Sequence, residues 1–106
     1  MSALETIIEP HHGELIQLCR SFGVARLELF GSAATAEFDA PRSDIDFLIE
    51  FLPGQDLGPW LSHYFELRSR LAALLGRSVD LVLSTAVRSP DFARELDRTR
   101  RLLYAA

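Results

Sequence analysis

Three acids and a glycine-serine pair carry the chemistry open to this chain of 106 residues. Asp44 and Asp46 stand two positions apart in Ser43-Asp44-Ile45-Asp46-Phe47-Leu48-Ile49-Glu50-Phe51, a run that is otherwise mostly apolar. Side chains alternate faces along a strand, so Asp44, Asp46 and Glu50 share one face while Ile45, Phe47, Ile49 and Phe51 share the other. Carboxylates held side by side repel one another and destabilise a fold unless positive charge lies between them. A hard divalent cation, which takes oxygen ligands, is the natural counter-charge. A third acid, Asp80, sits inside Ser78-Val79-Asp80-Leu81-Val82-Leu83. Strands deplete Asp, and an unpaired carboxylate is costly to bury, so a neighbouring strand that sets Asp80 beside Asp44 and Asp46 resolves the anomaly. Glu50 is either an outer partner of those acids or a solvated side chain, and the pattern leaves both open.

Upstream, Gly31-Ser32 closes the apolar run from Val24 to Phe30. A glycine after a strand lets backbone approach a ligand closely. A serine opening a short helix adds a hydroxyl and backbone N–H groups at a positive helix end, and the two together make a phosphate cradle. Alone, the pair is an ordinary turn. Its company sharpens it: eleven residues separate Ser32 from Asp44, and Asp80 follows on a third strand. A triphosphate gripped at one end by the cradle has its metals held at the other end by the acids.

The elements that position these residues follow from periodicity. Leu15, Ile16, Leu18, Cys19 and Phe22 recur at helical spacing, predicting a helix from about 10 to 22 that Gly23 ends. Val24 to Phe30 reads as a strand with Leu27 and Leu29 on one face and Arg26, Glu28 and Phe30 on the other. Pro41 and Asp39 mark a turn before the carboxylate strand, and Pro53-Gly54 marks one after it. Trp60, Leu61, Tyr64, Phe65, Leu67, Leu71, Leu74 and Leu75 predict a helix from about Gly58 to Leu75, stopped by Gly76. Ser89-Pro90-Asp91 has the order of an N-cap, a first-turn proline and a first-turn acid, opening a last helix with Phe92, Leu96, Leu102 and Leu103 on its buried side. The order helix, strand, strand, helix, strand, helix gives an α/β (α+β) fold: a small mixed β-sheet with helices packed on one face and the acids at its rim or other face.

Composition sets the frame. A single domain spanning 1–106 is expected, and 48% hydrophobic with 25% charged residues is ordinary for a globular core. Cys19 has no second cysteine to pair with, no apolar run approaches a membrane span, and Met1-Ser2-Ala3-Leu4-Glu5 lacks the basic start of a signal peptide. A cytoplasmic protein with no membrane role is expected. The net charge of −4 argues against a long nucleic acid as partner, because phosphate neutralisation needs a basic excess. Arg94, Arg98, Arg100 and Arg101 alternate with Glu95 and Asp97 and read as the solvated face of one helix. His11, His12 and His63 lack a surrounding ligand cluster and read as exposed, while Trp60, Tyr64 and Phe65 read as core or interface residues before base-stacking ones.

Leu29-Phe30-Gly31-Ser32, Ser43-Asp44-Ile45-Asp46-Phe47-Leu48-Ile49 and Leu74-Leu75-Gly76-Arg77-Ser78-Val79-Asp80-Leu81-Val82 together resemble the minimal nucleotidyltransferases (MNT) of the DNA polymerase β superfamily, over nearly the whole chain. The resemblance implies a polymerase β-like nucleotidyltransferase fold. It implies that Asp44 and Asp46 ligate two Mg²⁺ ions, with Mn²⁺ as a substitute, and that Asp80 completes the site of the metal activating the attacking hydroxyl. Gly31, Ser32 and Ser43 become the nucleotide-binding residues, the first two at the β and γ phosphates. The implied reaction is transfer of a nucleoside monophosphate, AMP from ATP, to a hydroxyl. Some members stand beside a HEPN-type ribonuclease toxin and modify it on tyrosine, which implies an antitoxin with a HEPN-like toxin as partner.

The chain departs from many members where Ala33-Ala34-Thr35-Ala36 replaces Arg-Ala-Arg-Gly, losing two cations near the triphosphate, with Arg42 and Arg77 as candidate replacements. The connection before Asp44 is also one residue longer. The alternative reading is therefore an interaction module that neutralises a partner by binding, with transfer weak or lost. Either way no second domain encloses the base. A homodimer or a complex with a helical protein is expected to supply that wall, through large apolar side chains such as Trp60, Phe92 and Tyr104.

Overall fold

Regular helix begins only after Pro10, because a proline lacks the N–H and clashes with the turn before it. In the computed structural model, which describes residues 3–35 and 44–106, Leu4–Ile8 and Glu9–His11 wind as irregular turns ahead of α1, His12–Ser21. Leu15 and Cys19, one helical step apart, are fully buried. Burial pushes the Cys19 thiol up to about 12, so it fills the core as an unreactive small hydrophobe.

Strand β1 (Val24–Phe30) pairs antiparallel with β2 (Ile45–Phe51), and β3 (Val79–Leu83) lies parallel to β2 on its other side. Helix α2 (Ser62–Leu75) makes the crossover between the parallel strands. It stops at Gly76, whose left-handed φ of +69° lets its N–H reach Ala72 O at 2.9 Å. Helix α3 (Pro90–Thr99) opens as expected, with Ser89 Oγ accepting the Phe92 N–H. Among the described residues, no helix is long and apolar enough to cross a membrane.

The last element differs from the expectation. Leu102 and Leu103 do not lie on the buried side of a helix: α3 ends at Thr99, and Arg101–Ala105 forms a fourth strand, β4, antiparallel to β1. The sheet order is β3-β2-β1-β4. Helical periodicity fits this segment too, since Leu96, Thr99 and Leu103 are spaced for a helix. The deciding force is tertiary: Arg100 leaves helical geometry at φ −62° and ψ 140° while its guanidinium pairs with Glu28 on β1. The chain beyond it then falls along the open edge of β1.

Alternation sorts the sheet into two faces. Leu27, Leu29, Ile45, Phe47, Ile49, Val79 and Leu81 point to the main core, where they meet α1 and α2. Phe30 and Leu48 point the other way and pack with Leu96 and Phe92 of α3 and with Val82. The α/β architecture and mixed sheet are as expected, but only α1 and α2 share a face. Helix α3 crosses the opposite one, drawn by the apolar strip that lies there among the acids.

Both Tyr64 and Arg68, one turn apart on α2, reach the outer edge of β3. The Tyr64 hydroxyl donates to Leu81 O, and Arg68 Nε donates to Val79 O at 3.0 Å. Trp60 contributes nothing to the core: it is 95% exposed, and it and Leu61 hold left-handed φ values of 55° and 57° at the entry to α2. Phe92 and Tyr104 do pack, each half-buried against a core cluster.

Candidate active site

The register of the sheet brings the acids and the Gly-Ser turn to one corner. Asp46 faces Phe30 across the β1–β2 pair and Asp80 across the β2–β3 pair. In-register partners point to the same side of a sheet, so Asp46 and Asp80 stand next to one another on adjacent strands about 4.8 Å apart. Asp44 sits one residue ahead of β2 and is exposed, as is Asp80. Burial first, then Asp80, then Asp44, pushes the Asp46 carboxyl up to about 6. Asp80 and Asp44 are thus both near enough to act on Asp46 electrostatically. Glu50 lies two register steps away, exposed, opposite Arg26.

Gly31 follows Phe30 directly and has a left-handed φ of +73°. A Cβ at Gly31 would stand 2.9 Å from Asp46 Oδ2, closer than carbon and oxygen can lie without displacement. The backbone angle is what favours glycine here; the near contact alone asks only for a turn of the Asp46 carboxylate, since its Cβ and Cγ stand 3.8 Å away. Ser32 opens the short 3₁₀ turn Gly31–Ala34, and its carbonyl accepts from Thr35 N–H and Thr35 Oγ1, each at 3.1 Å. Ala33 is fully buried in the main core, so its side chain faces away from the corner, and the two family arginine positions hold a core methyl and a turn-capping hydroxyl. Ser43 and Arg42 lie outside the described residues. Arg77 follows the α2 cap and is half-buried.

A contact absent from the sequence reading fixes the turn. The Gly31 N–H donates to Thr99 Oγ1 at 3.0 Å, and the same hydroxyl donates to Glu95 O at 3.0 Å. Thr99 is buried at the last turn of α3. Beside it, Glu28 is a nearly fully buried carboxylate, 2% exposed, gripped by Arg100 through Nε to Oε2 at 2.5 Å and Nη2 to Oε1 at 2.9 Å, and by Arg26 through Nε. The fork from Arg100 holds Glu28 below the usual carboxylate range against the opposing effect of burial, with Arg26 adding to it. The C-terminal arginines are accordingly not one solvated face. Arg94 and Arg98 pair with Asp91 and Glu95 in solvent, whereas Arg100 anchors to β1 and Arg101 begins β4. Reasoning that singled out Asp80 as an acid within an apolar strand applies equally to Glu28, and it asks for the cation that Arg100 supplies.

The histidines stand apart from the corner. His63 is half-buried rather than exposed: its ring lies 4.8 Å from Phe22 and 5.8 Å from Phe51, and Nε2 donates to Phe22 O at 2.6 Å. His12 is exposed, as expected, near Leu103 O.

Among the described residues, no three His, Cys, Asp or Glu side chains are gathered closely enough to enclose an ion. A hard cation of Mg²⁺ type requires no such cage, because it is held by one or two carboxylates together with waters and substrate phosphate. Two adjacent carboxylates on neighbouring strands, a third close by and a raised Asp46 are a donor set that fits such an ion.

The model of the family described as polymerase beta, nucleotidyltransferase matches residues 14–106. A relative from Thermococcus cleftensis, the protein adenylyltransferase MntA, is 35% identical over 89 residues, covering 84% of this chain and 82% of the relative. Two solved structures share the fold. One is a toxin-antitoxin with AMP-PNP, with a TM-score of 0.67 and 24% identity over 90% of this chain and 73% of that one. The other is a tri-AMPylated Shewanella oneidensis HEPN toxin in complex with an MNT antitoxin, with a TM-score of 0.63 and 22% identity over 92% and 72%. A Gly-Ser turn against paired strand carboxylates, in a chain so matched, leaves one conclusion: this protein belongs to the polymerase beta nucleotidyltransferase family and is a nucleotidyltransferase.

Proposed function

We propose that this chain transfers AMP from ATP to a hydroxyl on a partner protein, a HEPN-type toxin, and so acts as its antitoxin. One observation supports the reading: Gly31 and Asp46 are immediate neighbours, a Cβ built on the glycine standing 2.9 Å from Asp46 Oδ2. In this reading a cradle for the terminal phosphates and acids for a metal share that corner. The Ser32 N–H and hydroxyl grip the β and γ phosphates in this reading, with Ser43 as a further nucleotide contact. Asp44, Asp46 and Asp80 hold Mg²⁺. When bound, the metal offsets phosphate charge and makes the acceptor hydroxyl a better nucleophile. The acceptor oxygen bonds to the α-phosphorus, the bond to the bridging oxygen breaks, pyrophosphate leaves, and an Asp80 carboxylate oxygen takes the hydroxyl proton. The Thermococcus relative's name as a protein adenylyltransferase supports the acceptor class, and the Shewanella complex of an AMPylated HEPN toxin with an MNT antitoxin supports the partner.

The test is to incubate the purified chain and its co-expressed HEPN-type partner with Mg²⁺ and each of the four nucleoside triphosphates, then weigh the partner by mass spectrometry. Gain of AMP mass with ATP, abolished by chelator, is the expected result. No mass gain with any triphosphate overturns the reading.

A second reading, neutralisation by binding alone, is favoured by the exposed apolar surface at the start of α2, where Trp60 projects and Leu61 and Phe65 are part-exposed. The two part at Asp46. If the variant Asp46→Asn still suppresses toxicity in cells, binding is the mechanism; if suppression is lost while the complex still forms, transfer is.

A further inference from the structure

The geometry points to Thr99 as a positioning residue for the nucleotide corner: its hydroxyl sets where the Gly31–Ser32 turn stands relative to Asp46. The inference rests on the transfer reading above for its purpose, and on contacts within the chain for its substance. The Thr99 hydroxyl has one proton, and that proton goes to Glu95 O at 3.0 Å, so a lone pair is left to accept the Gly31 N–H at 3.0 Å. Both roles of the hydroxyl are filled and directed. Three residues back along β1, Arg100 grips Glu28 through a two-pronged fork, so consecutive residues at the end of α3 fasten the strand and the turn that follows it.

Two consequences follow for the cradle. First, the Gly31 N–H is committed to Thr99 and is not a phosphate donor, which leaves the Ser32 N–H and hydroxyl to do that work. Second, the turn is held by α3 through Thr99. A Cβ built on Gly31 would stand 2.9 Å from Asp46 Oδ2, so the turn and that carboxylate are neighbours, and movement of the turn alters the gap between the phosphate-binding end of the site and its metal-binding end. A triphosphate must reach both ends at once, and a misfit of about 1 Å can cost a hundredfold. Thr99, which touches the turn but is not itself a phosphate or metal ligand, fixes that span.

Two measurements test this. In the wild-type protein, amide exchange is followed by NMR with and without Mg²⁺ and AMP-PNP. The Gly31 amide is expected to be protected in both conditions, while the Ser32 amide becomes protected only when AMP-PNP is added. A Gly31 amide that exchanges freely without nucleotide, or whose resonance shifts as the Thr99 bond is exchanged for phosphate, overturns the proposal. This arm needs no variant to fold. If AMP-PNP binds nowhere, the transfer reading fails, yet Gly31 protection is still read.

The second measurement is the ratio of AMP-PNP to AMP affinity by calorimetry with Mg²⁺ present. Thr99→Val keeps the shape of the side chain and removes the hydroxyl; Thr99→Ser keeps the hydroxyl. The Val variant is expected to lower the ratio about tenfold, and the Ser variant to stay within threefold of wild type. A purely structural role lowers the melting temperature of the Val variant and leaves the ratio unchanged, and that result overturns the proposal. So does a Ser variant that loses the ratio despite its hydroxyl.

Discussion

Asp46 and Glu28 lie on the same face of the same sheet, on paired strands, separated by a single register step. Burial raises both, yet they end on opposite sides of their ordinary values. Glu28 is the more buried and is held ionised; Asp46 is the less buried and is pushed toward the proton. The difference is in partners. Two guanidiniums meet Glu28, one of them through a fork, while the charges near Asp46 are Asp80 and Asp44. A buried carboxylate that finds its cation within the chain is part of the scaffold, and one whose neighbours repel it is the better candidate for a cation from outside.

The sharpest way to break the comparison is Asp46→Asn. Metal-dependent transfer should fall by more than about a hundredfold, whereas the melting temperature without metal should hold or rise, because one of three clustered charges is gone. Radiolabel transfer and a melting curve on the same sample check both halves.

Arg100→Met attacks the other carboxylate, and here the effect is on stability. Leaving Glu28 with only Arg26 should cost about 3 kcal/mol, a fall of more than about 10 °C in melting temperature for a domain of this size. Because the penalty comes from the stranded charge, the double variant Glu28→Leu with Arg100→Met should recover most of it. Urea denaturation of the two variants decides this.

Mg²⁺ should raise the wild-type melting temperature by several degrees, as mass action on a folded-state site gives about 1–3 kcal/mol at ten to a few hundred times the dissociation constant. Asp46→Asn should lose that shift and Arg100→Met should keep it from a lower starting point. Thermal melts with and without chelator make the comparison.

The smallest effect is that of pH on the metal-free protein. Asp46 has a folded value raised to about 6 from an ordinary 3.8, so the folded state binds its proton more tightly. Its contribution is complete below about 3.8 and is lost as pH rises through about 6. Glu28 is lowered from 4.5, so its contribution is present above 4.5 and is lost as pH falls through its lower folded value. Stability should therefore rise from pH 7 to pH 5 and decline in stronger acid. Asp46→Asn should flatten the first limb and leave the second, a pattern that melting curves across pH resolve.

The carboxylate corner was legible in sequence because period-2 alternation is local: Asp44, Asp46 and Asp80 announce their face without knowledge of the rest of the chain. Cys19, the Ser89 cap and the Gly76 stop were legible for the same reason. What stayed hidden depended on distant pairing. Leu102 and Leu103 fit a helix by spacing and became a strand because β1 had an edge to fill. Thr99 carries no local signal, and only the tertiary fold sets it against Gly31. The helical spacing of Trp60 leaves it between core and interface, and the left-handed backbone at Trp60 and Leu61 decides it by turning the side chain into solvent.

The long span of two contacts bears on how the chain is made. Gly31 finds Thr99 across 68 residues of sequence, and Glu28 finds Arg100 across 72. At a synthesis rate of about 5–20 residues per second, the hairpin of β1 and β2, complete at Phe51, waits ~2–10 s for the residues that fasten it. During that interval Glu28 has Arg26 alone, and the face of the sheet that α3 will cover stays wet. A ribosome-bound chain stopped before residue 99 therefore lacks the fastening of its glycine turn. If the corner holds nucleotide as proposed, that capacity arrives late in translation, together with the strand that fills the edge of β1.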